Sequence, residues 1–190
     1  MHRIILINGK ARVGKDTLAS FLVKELNSRG FNNVYVRGNA QTVKDYAKKY
    51  FNWDGKKTDE GRKLLINITN MMYDLDPTFW ECKTNEFFMG KIEEHKKEDV
   101  ILIIPDWRYR NTLDYFRRVA NCYKYISVHT IHLERKGFKN NLSQELKADI
   151  SESDILKNLC DIHITKGTSK IEGFVDIAKM TIDRITRESE

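Results

Sequence analysis

The chain has 190 residues, a length that fits one compact domain with a sizeable core. Its 33 lysines and arginines outnumber 27 acids, and the resulting formal net charge of +6 suits anionic small molecules while leaving nucleic-acid binding open. No stretch approaches the roughly 20 apolar residues of a membrane span, no signal peptide is visible, and the cysteines lack metal-site spacing, so we expect a cytoplasmic protein.

Near the N-terminus a short apolar run, 4–7, precedes a glycine-rich loop and then a helical pattern. The loop reads GKARVGKDT over residues 9–17. A strand, a glycine-rich loop and a helix in this order direct backbone N–H groups and a helix N-terminus at an anion. A plain strand-to-helix turn is the alternative, but the motif and both of its flanks favour a phosphate-binding loop (P-loop).

The loop departs from the general template at one position. Asp16 follows Lys15 where a Ser or Thr is expected, and Thr17 carries the hydroxyl one residue later. We expect Lys15 to bind the outer phosphates and Thr17 to contribute to phosphate or metal-water binding. Asp16 also suits the first turn of a helix because of the helix dipole. This departure favours a small kinase over a switch GTPase.

Further along the chain, segments with strand character alternate with segments of helical character. Strands are predicted at 34–36, 100–104, 125–133 and 161–165, and helices at about 41–51, 60–74, from 76 onward, up to about 121, and 170–187. We expect Asp76 to cap its helix with Pro77 at the first helical position, and Ser151 with Asp154 to cap a short helix. The alternation predicts a parallel sheet covered on both faces, with ligands beyond the carboxyl ends of the strands.

Asp106 and Arg108 come directly after the buried run 100–104. The carboxyl end of this strand should lie at the same edge as the P-loop, where Asp106 could hold Mg²⁺ and Arg108 could grip a phosphate. The alternative is that Asp106 caps the next helix and Arg108 is a surface residue. Placement at this edge favours the functional interpretation.

Two further segments are rich in charge. Residues 53–65 combine Trp53 with Arg62 and several lysines, which suits phosphate clamping and base stacking but equally suits a solvated helix start. Lys44 stands on an amphipathic helix, where a lone lysine is usually a surface residue. Residues 132–149 would form a lid in a nucleotide kinase, with Arg135 closing on the phosphoryl group, or else a solvated hairpin or helix.

These motifs together resemble the phage-type deoxynucleoside monophosphate kinases, a branch of the P-loop nucleotide kinases. The resemblance covers nearly the whole chain and is carried by the segments GKARVGKDT, NAQTVKDYAKKYF, WDGKK followed by GRKLL, IPDWRYRN, SESDIL and DIHITKGT. Two positions depart from the family pattern. Thr112 stands where the family usually has Glu, and Lys166 replaces an Asn near the adenine of ATP.

The resemblance implies an α/β P-loop kinase fold of three layers, in which helices flank a five-stranded parallel sheet. It also implies one domain over 1–190, with a helical substrate-binding insertion at about 40–98 and a lid at about 134–150. ATP and Mg²⁺ would be the donor pair, and a deoxynucleoside monophosphate would be the acceptor.

The expected site residues follow from the same resemblance. The ATP-binding residues would be Arg12, Val13, Gly14, Lys15, Asp16 and Thr17. The metal would be held by Thr17 and Asp106, and catalysis would use Lys15, Asp106, Arg108 and Arg135. The acceptor would be bound by Lys10, Lys44, Trp53, Arg62 and Arg108. Chemistry of this kind needs positioning and charge neutralisation more than a strong base.

Other functions remain open on the sequence. The nearest is another small P-loop kinase, of the phosphomevalonate, dephospho-coenzyme A or shikimate type. A protein that binds nucleotides or nucleic acids without catalysis is a second alternative, although no nucleic-acid-binding motif is present. We expect no membrane or nucleic-acid partner, and a homodimer is left open.

Overall fold

Five strands and six α-helices alternate along the chain in the computed structural model, which describes residues 1–10, 12–56, 58–136, 154–167 and 173–187. The strands are β1 (His2–Asn8), β2 (Asn33–Val36), β3 (Val100–Ile104), β4 (Ile126–Arg135) and β5 (Ile162–Lys166). The helices are α1 (Lys15–Ser28), α2 (Asn39–Tyr50), α3 (Asp59–Leu75), α4 (Phe79–Glu94), α5 (Arg110–Cys122) and α6 (Gly173–Arg187), with a short 3-10 helix at Asp154–Leu159.

The strands form one sheet in the order β2-β3-β1-β4-β5, and every pairing is parallel. β1 lies in the centre, in register with β3 from Arg3 opposite Ile101 and with β4 from His2 opposite Ile126. The carboxyl ends of four strands therefore bring the loops after Asn8, Val36, Ile104 and Arg135 to one edge. The predicted three-layer α/β class with a five-stranded parallel sheet is confirmed.

The two faces of the sheet bury separate apolar clusters because side chains alternate along each strand. In β1, Ile5 and Ile7 pack in the cluster that includes residues of α1 and α6, whereas Ile4 and Leu6 pack in the cluster that includes residues of α4 and α5. Burial on both faces explains why β1 and β3 read as continuous apolar runs. A third cluster lies among α2, α3 and α4 around Trp80.

One helix start differs from the sequence prediction. Asp76 ends α3 instead of capping α4, and α4 begins at Phe79 with Thr78 as its N-cap residue. The Asp76 carboxylate accepts hydrogen bonds from the backbone N–H and the hydroxyl of Thr78, both at 2.8 Å. This local turn, which Asp favours, occupies the carboxylate two residues before the helix.

Two expectations fall partly outside the described residues. Of the predicted lid at about 134–150, the structure describes only 134–136, and the predicted cap residue Ser151 also lies outside. None of the helices in the described part of the chain is both long enough and apolar enough to cross a membrane.

Candidate active site

The P-loop lies at the carboxyl end of the central strand β1 and leads into α1. Gly9 adopts a φ of +142°, and a Cβ there would lie 2.4 Å from the backbone oxygen of Leu133. Only glycine permits this conformation and this close approach to β4. The tight turn therefore depends on the first glycine of the motif.

Lys15 is the first residue of α1, and its side chain folds back over the loop. Its Nζ donates to the backbone oxygens of Gly9 at 2.5 Å and Lys10 at 2.9 Å. The ammonium therefore lies over the loop at the helix N-terminus, where the partial positive charge of α1 adds to its own. Both features favour a bound anion.

The two residues after Lys15 differ in exposure. Asp16 is exposed in the first turn of α1, whereas Thr17 is half-buried. Arg12, in the loop itself, is exposed with a φ of +64°, and Val13 is buried. The loop thus presents two charged side chains, Arg12 and Asp16, at the surface near Lys15.

Asp106 follows β3, the strand beside β1, and packs directly against Gly38, the N-cap residue of α2. Its Oδ2 accepts a hydrogen bond from the backbone N–H of Ala40 at 2.8 Å, so it caps the N-terminus of α2. A Cβ on Gly38 would lie 1.7 Å from Asp106 Oδ1, so no other residue fits there without moving the carboxylate. Asp106 therefore caps α2. The alternative drawn from the sequence, a cap on α5, the next helix along the chain, is not what the structure shows.

The second oxygen of this carboxylate is buried and unpaired. Asp106 Oδ1 has no hydrogen-bond partner among the described residues. Burial raises the pKa of the Asp106 carboxyl above its ordinary value, and the nearby charge of Asp16 raises it further, while the Ala40 N–H and Arg108 act in the opposite direction. Asp16 and Asp106, from different segments, are therefore close enough to interact.

These groups fit a Mg²⁺ ion that arrives with phosphates. Carboxylate and hydroxyl oxygens are the donors that Mg²⁺ prefers, and the ion commonly takes one or two protein carboxylates while substrate phosphates complete its shell. Within the described ranges, no group of three or more His, Cys, Asp or Glu side chains is placed to hold a metal by itself. Asp106, with its unpaired oxygen, and Thr17 are the residues that could contribute.

A cleft of about 500 Å³ opens beside Asp106 between α2, α3 and the start of α5. Two predicted site residues besides Asp106 line it, the half-buried Lys44 and the exposed Arg108. The other lining residues are Asn39, Ala40, Val43, Leu65, Ile66, Thr69, Asn70, Tyr73, Trp80, Tyr109 and Thr112. The volume and the mixture of apolar walls with a few polar groups are typical of a small-molecule site.

Arg62 lies one turn before this cleft on α3. It is exposed, and it precedes the lining residues Ile66 and Thr69 by four and seven positions, which places it on the same face of the helix. Its side chain does not line the cleft itself.

Trp53, in contrast, is a packing residue in the structure. Its side chain is 8% exposed within the cluster shared by α2, α3 and α4, and its indole N–H donates to the backbone oxygen of Lys56 at 3.1 Å. It does not line the cleft, so the structure gives no support to the predicted stacking on a base.

Lys10 and Arg135 lie together on the other side of the P-loop. Both line a cavity of about 260 Å³ between the loop and the end of β4. Lys10, which we expected near the acceptor, is therefore grouped with the expected lid residue. His132 lines the same cavity and is buried, with Nδ1 2.8 Å from Asn8 Oδ1, so it is held inside the fold.

Lys166 marks the end of β5 on this side. Its Nζ lies 3.6 Å from the centroid of the Phe174 ring, and burial lowers its pKa, with a further contribution from Arg135. A Cβ on Gly14 would approach the same ring to 3.0 Å. Lys166, one of the two positions that depart from the pattern of the resembled family, thus lies against an aromatic ring that borders the P-loop.

Four residues in or behind the site, Gly38, Asn39, Tyr73 and Glu81, were not singled out from the sequence. Gly38 could have been suspected as a glycine just beyond a strand. Tyr73 and Asn39 line the cleft and bond to Glu81, a fully buried acid on α4. Glu81 shares a helix face with Thr84 and Phe88 at positions i+3 and i+7, so an acid on an apolar stripe was the available signal.

Comparisons with solved structures agree with this architecture. The tunicamycin resistance protein of Deinococcus radiodurans is similar with a TM-score of 0.54 at 15% identity, over 97% of this chain and 96% of that one. Shikimate kinase from Aquifex aeolicus gives 0.46 at 15% identity, over 95% and 96%. The Mycobacterium tuberculosis APS kinase in complex with AMPPNP and APS gives 0.46 at 12% identity, over 97% and 98%.

The similarity to the tunicamycin resistance protein supports a three-layer α/β fold around a five-stranded parallel sheet. At these identities the likeness concerns the fold alone. No family model matches the sequence, and no curated protein matches it. The substrate must therefore be argued from the site.

Proposed function

We propose that this protein is a phosphotransferase that uses ATP and Mg²⁺ to phosphorylate a deoxynucleoside monophosphate. The observation that carries the proposal is the position of the 500 Å³ cleft, which opens beside Asp106 at the same sheet edge as the P-loop. A donor bound on the loop and an acceptor bound in the cleft would meet near this carboxylate. Phosphoryl transfer depends mainly on such positioning and on charge neutralisation.

The donor side uses the loop amides, Lys15 and the N-terminus of α1. The Lys15 ammonium, which contacts two loop carbonyls in the structure, would exchange these contacts for phosphate oxygens. Bound Mg²⁺ would neutralise the phosphate charge during transfer. Thr17 and Asp106 would hold it, and the unpaired Asp106 Oδ1 would gain a partner. Arg135 would add positive charge from the other side of the loop.

The acceptor side uses the cations that line the cleft. Lys44 and Arg108 would bind the monophosphate. Arg62 stands at the N-terminal end of the α3 face that lines the cleft. The planar guanidinium of Arg108 suits a phosphate better than an ammonium does. The apolar walls, which include Val43, Leu65 and Tyr109, offer room and contact area for a base.

The three cysteines are free in the structure, as in proteins of a reducing compartment, so we also propose that the enzyme acts in the cytoplasm. A phage-encoded enzyme would act in the host cytoplasm.

An acceptor panel tests the proposed function. ADP production from ATP is measured with dAMP, dGMP, dCMP, dTMP, hydroxymethylated dCMP, the ribose forms, shikimate, phosphomevalonate and dephospho-coenzyme A. We expect turnover that requires Mg²⁺ and one or more nucleoside monophosphates. The Lys15→Ala variant should lose turnover by a factor of about 10² or more, because one preorganised electrostatic contact contributes that much. Turnover with a non-nucleotide acceptor alone would contradict the proposal.

A further inference from the structure

Glu81 organises one wall of the acceptor cleft from behind. It lies on α4 and is completely buried. Its Oε1 accepts three hydrogen bonds, from Asn39 Nδ2 at 2.9 Å, the Tyr73 hydroxyl at 3.2 Å and the Thr112 hydroxyl at 2.7 Å. All three donors line the cleft. A carboxylate on a different helix thus contacts Thr112, the position at which the resembled family has its acid.

The three bonds to Oε1 fix the direction of two hydroxyl groups. A hydroxyl has one proton and two lone pairs, and a carboxylate oxygen that receives several bonds is the acceptor in each. Tyr73 and Thr112 therefore direct their protons toward Glu81. Burial, together with the Glu81 charge, raises the pKa of Tyr73 far above its ordinary value, so its phenol keeps that proton.

A third hydroxyl in the lining behaves in the same way. Thr69 donates its proton to the backbone oxygen of Leu65 at 2.7 Å, and a carbonyl can only accept. Thr69, Tyr73 and Thr112 all line the cleft while their protons point into the protein. The lone pairs of these three oxygens remain for a ligand, so the hydroxyls present hydrogen-bond acceptors beside the amides of Asn39 and Asn70.

We propose that this wall binds the base of the acceptor nucleotide and selects bases with an amino group at the cytosine C4 or adenine C6 position over thymine and uracil, which carry a carbonyl at C4. The inference rests on the proposed function and specifies its substrate. An amino group donates to the wall. The O4 carbonyl of thymine or uracil would instead face other acceptors and would lose its hydrogen bonds with water without gaining new ones. A buried polar site discriminates strongly against a ligand that leaves such groups unpaired.

In this arrangement Glu81 is a positioning residue. It does not contact the base; it holds the hydroxyls of Tyr73 and Thr112 with their protons turned away. Its second oxygen, Oε2, is buried without a hydrogen-bond partner in the described part of the chain, so the three bonds to Oε1 hold this carboxylate. A side chain that could donate in its place would release the hydroxyl protons toward the cleft.

The matched pair dCMP and dUMP tests the inference, because these nucleotides differ only in the amino or carbonyl group at C4 and in the proton on N3, and have nearly the same shape. The kcat/KM ratio of dCMP to dUMP should be about ten to a hundred for the unmodified protein, since an unpaired buried polar group has an effect of this order. Tyr73→Phe removes one acceptor and should lower the ratio several-fold. Tyr46→Phe, outside the cleft lining, is the matched control and should leave it unchanged.

Glu81→Gln tests the positioning role. The side-chain amide of the new glutamine can donate a hydrogen bond. The kcat/KM ratio of dCMP to dUMP should therefore fall, mainly through a lower KM for dUMP and a higher KM for dCMP, with the KM for ATP unchanged. If this variant does not fold, the comparison of Tyr73→Phe with Tyr46→Phe decides. Equal use of dCMP and dUMP by the unmodified protein, or an unchanged ratio in Tyr73→Phe, would overturn the base selection alone. Absence of phosphorylation of any nucleoside monophosphate would overturn the proposed function and this inference with it.

Discussion

Replacement of Gly38 by alanine should move the Asp106 carboxylate and damage catalysis. The backbone of Gly38 has φ −103° and ψ 172°, a conformation open to alanine, so the expected effect is steric. The added Cβ would lie 1.7 Å from Asp106 Oδ1 and must be separated from it by at least about 3.0 Å. A displacement of more than 1 Å at a reacting site reduces rates by about 10²-fold, or roughly 2.7 kcal/mol in the barrier.

The assay compares Gly38→Ala with Gly90→Ala. Gly90 lies inside α4, and a Cβ there meets nothing within 4 Å, so its replacement should stabilise the fold by about 0.5–1 kcal/mol and leave kcat/KM unchanged. Gly38→Ala should lower kcat/KM about a hundred-fold in coupled ADP release and should also lack the gain in melting temperature. Unmodified kinetics in Gly38→Ala, with a stability gain like that of Gly90→Ala, would refute the geometry assigned to Asp106.

Further substitutions at Thr17, Asp16, Arg108 and Trp53 test individual residues. Thr17→Ala should reduce Mg²⁺-dependent turnover more than Thr17→Ser, and a larger loss in Asp16→Asn than in Thr17→Ala would show that the carboxylate matters more. Arg108→Lys should lower kcat/KM for the nucleotide about ten- to a hundred-fold with the KM for ATP nearly unchanged; a defect in ATP affinity alone would exclude Arg108 from the acceptor site. Trp53→Phe should lower the melting temperature by roughly 2–4 °C for each kcal/mol of unfolding free energy that is lost, and should leave the acceptor kinetics unchanged. A specific rise in the KM for the acceptor would show that Trp53 binds the acceptor after all.

The sequence predicted the parts of the fold that depend on local patterns. The apolar runs of β1 and β3 and the loop around Lys15 are continuous in sequence, so periodicity and motif spacing locate them. The placement of Asp106 and Arg108 at the P-loop edge also followed, because carboxyl ends of parallel strands share one edge. Asp76 was misassigned because a turn with Thr78 competes locally with the helix cap.

The interior of the cleft depends on contacts between distant segments and could not be predicted in this way. Glu81 receives bonds from residues 42, 8 and 31 positions away, and no local pattern encodes such convergence. Trp53 is a residue that the sequence suggested for the site and that the structure places outside the cleft lining. A tryptophan among basic residues suggested a base-stacking site, but the side chain packs in the cluster shared by α2, α3 and α4 and donates to the backbone oxygen of Lys56 within its own loop.

Transfer of a labelled γ-phosphate from ATP tests the central claim most directly. The unmodified protein is incubated with labelled ATP, Mg²⁺ and, in separate reactions, dCMP and each of the other nucleoside monophosphates, and the products are separated by chromatography. We predict that the label appears in dCDP and that Lys15→Ala, folded by circular dichroism, leaves it in ATP. Label found only as inorganic phosphate with every nucleoside monophosphate, or equal transfer by Lys15→Ala, would contradict the account.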